Sequence, residues 1–143
     1  MLTKYLQLLA ELQQQHGTLD PVILANKLNI EIRYVPFGNN PKGMYTKIKG
    51  TPMILLNENI EHHPERKFVI AHELYHFLEH EENAAYYIQN DRTRSKLETE
   101  ANKFAVALLT NLYIEETREY PETVEEVSYK YGISYKENIE KLF

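Results

Sequence analysis

The sequence contains neither cysteine nor tryptophan. The first absence excludes disulfides, thiolate metal sites and cysteine nucleophiles together. It also fits a reducing, cytoplasmic setting. The second, beside eleven tyrosines, points to no function. No long hydrophobic run is present: Met1-Leu2-Thr3-Lys4-Tyr5-Leu6 soon meets glutamine and glutamate, so neither a secretory leader nor a membrane span is expected. An excess of positive charge is missing as well. The formal charge of -5 argues against a general binder of nucleic acid or anionic membranes. There is no internal repeat and no low-complexity tract. What remains is a chain of 143 residues, 43% apolar, which suffices for one core and predicts a single domain over residues 1–143.

Within it, His72-Glu73-Leu74-Tyr75-His76 reads H-E-x-x-H. The surrounding residues 64–80 predict one helix, on which positions four apart share a face with Cβ atoms about 5–6 Å apart. Two imidazoles so placed can converge on one ion, because a Zn–N bond is only about 2.0–2.1 Å long. Glu73 then reaches a water at an open coordination position and serves as general base, as in metal hydrolases. A surface helix with two histidines would give the same string, so context decides. Phe68, Val69, Ile70, Ala71, Leu74, Phe77 and Leu78 wrap apolar surface around most of the helix. A helix buried in this way rarely carries His-Glu-His without partners, since unpaired buried charge is costly.

Apolar spacing predicts a first helix over residues 2–15, stopped by Gly17. Asp20 as N-cap and Pro21 as first helical residue open a second, ending near Asn29. Residues 30–35 alternate as a strand, and residues 36–43 form a loop. Residues 43–48 and 52–57 read as a hairpin around Lys49-Gly50-Thr51. The expectation is a small α+β domain, mostly helical, with a short three-stranded, mainly antiparallel sheet beside the H-E-x-x-H helix. If the second hairpin strand lies at an edge above that helix, it can receive an extended peptide by strand addition, although an ordinary edge strand is the simpler expectation. Residues 81–91 read as a loop or broken helix containing Tyr86-Tyr87. Thr93 or Ser95 then caps a long helix to about Leu112. Pro121 opens another over residues 122–131, and Ser134 caps a last one to Leu142.

A catalytic zinc site commonly has three protein ligands and an open position. The long helix offers Glu98 and Glu100, which lie about 200° apart and cannot both face one ion. Glu98 falls in line with Ala105, Leu109 and Leu112 at the edge of the apolar stripe, whereas Glu100 shares the more polar side with Lys96, Ala107 and Asn111. Glu98 is therefore the expected third ligand, with Glu100 the alternative. Asn102, one turn on, is placed to hydrogen-bond a ligating histidine. His62 and His63 precede Pro64 without ligand spacing and are expected at the surface. His80 is open to two readings, a group that supports the ligands or binds substrate, or an ordinary helix-end histidine.

Arg66-Lys67-Phe68-Val69-Ile70-Ala71-His72-Glu73-Leu74-Tyr75-His76, followed by Glu98-Thr99-Glu100-Ala101-Asn102-Lys103-Phe104-Ala105, resembles the ImmA/IrrE metallopeptidases. That family's pattern is H-E-x-x-H with a downstream E-x-x-A-N-x-F-A. The likeness extends weakly to Ile54-Leu55-Leu56-Asn57 and to residues 19–32, about two thirds of the chain. It implies a gluzincin-like fold and a zinc endopeptidase of narrow specificity. Carried over by position, His72, His76 and Glu98 hold Zn2+ and Glu73 is the base. Many members are encoded on phages or mobile elements and cleave a helix-turn-helix repressor; others act in stress responses. The implied partner is thus a protein substrate, a transcriptional repressor being the leading case. The family often continues L-L-M-P after F-A, where this chain has Leu108-Leu109-Thr110-Asn111.

Two other functions compete. One is a zinc-holding module that recognises a protein or regulates a stress response with little or no hydrolysis. The other is DNA binding through residues 122–143, whose two expected helices flank Tyr131-Gly132-Ile133-Ser134. That segment carries more glutamate than lysine and no arginine, so it lacks the cationic footprint of a recognition helix.

Overall fold

A computed structural model describes residues 2–80 and 91–133. The readings made above for residues 81–90, including Tyr86-Tyr87, and for the helix from Ser134 lie outside the described residues, as does the His80 side chain. Among the described residues, five α-helices and a three-stranded sheet form a small α+β domain. The helices are α1 (Leu2–His16), α2 (Pro21–Lys27), α3 (Arg66–Tyr75), α4 (Asp91–Thr117) and α5 (Val124–Tyr131). The strands are β1 (Glu31–Val35), β2 (Gly43–Ile48) and β3 (Thr51–Asn57).

Local chemistry explains most boundaries. Asp20 accepts a hydrogen bond from the Val22 backbone N–H at 2.9 Å, and Pro21 opens α2 without loss of a needed donor. Asn29 closes α2 with φ of 61°; its N–H reaches the Asn26 carbonyl and that of Ile30 the Ala25 carbonyl, a Schellman ending. Lys49 and Gly50 both have positive φ, 51° and 83°, as a two-residue hairpin turn requires. Gly132 ends α5 in the left-handed region.

Three boundaries depart from expectation. Helix α3 does not continue as an α-helix to residue 80; it widens at His76–His80 into a π-helical turn. Helix α4 spans Asp91–Thr117, so Thr93 and Ser95 lie inside it rather than capping it, and it runs five residues past Leu112. Its end is fixed by Glu115, which receives Gln13, Thr18 and the Leu19 backbone N–H and so ties α4 to the α1–α2 connection. Helix α5 begins at Val124 rather than at residue 122, because Glu126 reaches back to accept the Glu122 N–H.

The sheet order is β1-β3-β2. The β2–β3 hairpin is antiparallel as expected, but β1 pairs parallel to β3, so the sheet is mixed. The second hairpin strand is therefore central, not an edge. Its sequence gives the reason: β3 buries Met53, Ile54 and Leu56, and burial on both sides suits a strand paired on both sides. The edge turned toward α3 belongs to β2. Gly43 makes this approach feasible, since a Cβ there would stand 2.5 Å from Val69 Cγ1.

Helix α3 is the central element. It packs against α4, α2 and strands β2 and β3 of the sheet. Every residue from Val69 to His76 is buried. Between the helices, Tyr75 stacks on Phe104 with ring centroids 4.7 Å apart, and Leu74 and Leu108 lie fully buried nearby in the same core.

Candidate metal centre

The geometry starts with helical spacing. His72 and His76 lie one turn apart on α3 with Nε2 atoms 3.3 Å apart, and their rings meet edge-on at 76°. Glu98 comes from α4. Its Oε2 is 2.9 Å from His72 Nε2 and its Oε1 is 2.9 Å from His76 Nε2. Among the described residues these three side chains form the one group able to hold a metal ion. Glu100 is excluded from it: its carboxylate faces α1 and lies 3.6 Å from Lys4. His62 and His63 are exposed and accompany Glu61 and Glu65. Glu98 is 39% exposed where the His72 and His76 side chains are about 10%, so the cluster opens to solvent on the α4 side.

Asn102 sits one turn beyond Glu98, with its Oδ1 2.7 Å from His72 Nδ1. An amide oxygen only accepts, so Nδ1 carries the proton and Nε2 turns its lone pair into the cluster. Two imidazole nitrogens and a carboxylate thus converge at spacings that need a cation or a proton between them. The donor set fits a divalent ion such as zinc. The electrostatics agree. Burial works to lower the His72 pKa, yet the hydrogen bond to Glu98, the charges of Glu73 and Glu98, and Asn102 outweigh it and hold the ring above its usual range. Burial alone would raise the Glu98 pKa, but its bonds to His72 and His76 and their charges pull it down to about 2. Both shifts say that this point favours positive charge.

Glu73 lies beside the cluster with Oε2 3.7 Å from His72 Nε2. Its Oε1 accepts the backbone N–H of Tyr45, on β2, at 2.9 Å. Burial is the largest influence on this carboxyl and raises its pKa, against the opposing pull of His72, His76 and the Tyr45 N–H. The Tyr45 contact was not foreseeable from side-chain patterns, because a backbone donor leaves no mark on residue type. The only available signal was a β-strand edge that must lie near α3.

A buried H-E-x-x-H helix, a carboxylate supplied by a second helix and a strand edge alongside define a metallopeptidase-like domain. The IrrE N-terminal-like domain family, Peptidase_M78, matches residues 25–143, and the chain belongs to that family. No curated protein matches it. Among the described residues, no helix is long and apolar enough to cross a membrane.

Proposed function

We propose that the chain is a zinc-dependent endopeptidase of narrow specificity acting on a regulatory protein, a helix-turn-helix repressor being the leading candidate. His72, His76 and Glu98 are its zinc ligands and Glu73 its general base. The observation that carries this reading is the meeting of three ligand atoms, all within 4.8 Å of one another, beside a buried glutamate whose second oxygen faces them. Zinc, when bound, supplies Lewis acidity toward a water and the scissile carbonyl.

The remaining steps belong to the chain. Tyr45 N–H fixes Oε1 of Glu73, which leaves Oε2 aimed at the cluster. A carboxylate whose pKa is raised by burial is a better proton acceptor than an exposed one, so Glu73 takes a proton from the attacking water and passes it to the leaving amine. Asn102 holds His72 in the ligating tautomer throughout. The edge of β2 borders this site, so an extended substrate segment can lie along it, with main-chain pairing supplying affinity. A strand of six residues supports a short contact, in keeping with narrow specificity.

The test is a comparison of zinc-loaded wild type and Glu73→Gln on a proteome-derived peptide library, with new N-termini identified by mass spectrometry. Zinc-dependent termini from the wild type and none from the variant are expected. Identical products, or none from protein carrying one zinc per chain, would defeat the peptidase reading.

A further inference from the structure

On an acidic chain, one surface runs against the overall charge. Where the start of α1 passes α4, an open groove of about 820 Å³ is lined by Lys4, Arg92, Lys96 and Lys103, with Glu100 the one carboxylate among the described residues of its lining. The α4 members recur at positions 92, 96 and 103, with Thr99 between, which puts them on one helix face. Among the described lining residues, four cations against one carboxylate sum to +3; with the whole chain at -5, all other residues together carry -8. Among the described residues, neither Lys96 nor Lys103 forms an ion pair. Lys4 is 3.6 Å from Glu100 and lies over the Tyr5 and Tyr75 rings.

We propose that this groove docks an acidic segment of a partner protein, one that interleaves carboxylates with apolar side chains. The exposed lining is mostly carbon, as long lysine stems below charged heads make it. That combination suits a peptide whose apolar residues enter and whose carboxylates stay at the edge. It does not suit nucleic acid. Among the described residues, the only aromatic ring in the lining, Tyr5, is 6% exposed and offers no face for base stacking. A polyanion longer than the groove would also run onto the acidic remainder and be repelled. The site lies on a different face of α4 from Glu98, so docking there and hydrolysis at the metal centre are separable.

The test is fluorescence anisotropy on the zinc-loaded full chain. The probe is a labelled peptide of alternating glutamate and leucine; a lysine–leucine peptide and a single-stranded oligonucleotide of equal charge are the comparisons. The glutamate–leucine peptide should bind, and raising salt from 50 mM to 500 mM should weaken it about tenfold or more, as screening at the rim demands. The double variant Lys96→Glu/Lys103→Glu should lose about tenfold or more in affinity at unchanged zinc content. Lys4→Glu, on the facing helix, should weaken binding in the same direction. Undiminished binding by these variants would overturn the proposal. So would tighter binding of the oligonucleotide, which would assign the groove to nucleic acid. Salt-sensitive self-association abolished by the same variants would also overturn it, since the occupant would then be a second copy of the chain.

Discussion

Helix α4 presents two faces with opposite chemistry. The inner face lies against α3 and carries Ala101, Phe104, Ala105 and Leu108, all fully buried, with Glu98 and Asn102 at its rim. The outer face carries Lys96 and Lys103 over an open groove. Polar groups on the first face have named partners at 2.7–2.9 Å, because an unpaired polar atom in a buried place is costly. Lys96 and Lys103 on the second form no ion pair among the described residues. The difference teaches where substitutions should matter: the inner face is constrained by packing and by ligand geometry, the outer one by long-range charge alone.

The largest expected effect is at the centre of the inner site. Glu73→Gln should lower cleavage by about 10²–10⁴ while elemental analysis still finds zinc on the chain; loss of the metal would show that Glu73 acts in binding instead. Next comes the packing beneath. Phe104→Ala removes the ring stacked on Tyr75 and should cost about 3–5 kcal/mol in urea unfolding. Asn102→Ala should weaken zinc binding by about 10–100-fold, measured by chelator competition, with little change in the fold. The smallest effect belongs to the outer face: Lys96→Ala should alter unfolding free energy by less than about 0.5 kcal/mol. A larger loss there would erase the contrast between the faces.

Titration sharpens the contrast further. Burial raises the folded-state pKa of Glu73 above its ordinary 4.5. Such a group contributes stability that is present in full below pH 4.5 and is lost as pH rises through the folded-state value. In zinc-free protein, thermal midpoints of wild type and Glu73→Gln should therefore coincide near pH 4.5 and separate toward neutral pH, the variant being the more stable. A constant gap across this range would mean that Glu73 is not the group at issue.

The inner face was the more legible from sequence. Apolar spacing along α4 separated Glu98 from Glu100 because a helix has a fixed period, and that period carries over from sequence to structure without alteration. The same rule put Asn102 within reach of His72. The sheet order was not legible. Strand β3 looks like either partner of a hairpin, and its parallel pairing with β1 is set by a distant stretch of chain, not by any local pattern. For the same reason Tyr45, on β2, could not be linked to Glu73. The groove escaped notice because Lys4 and Lys96 meet only through the packing of α1 on α4, and exposed charges carry no obligatory spacing.

The stack of Tyr75 on Phe104 has a consequence for any ion the proposed centre takes up. It lies between the two helices that carry the proposed ligands, so carbon contacts help to set their separation. An ion held by the proposed ligands would then be a guest in a frame already built, unlike the metal of a zinc finger, whose removal unfolds the domain. Stripping it with a chelator should silence the site without dismantling the protein, and returning it should restore function on mixing. Ions of other radii would have to accept the distances the helices offer, so under the proposed reading the packing between the helices contributes to discrimination among divalent metals.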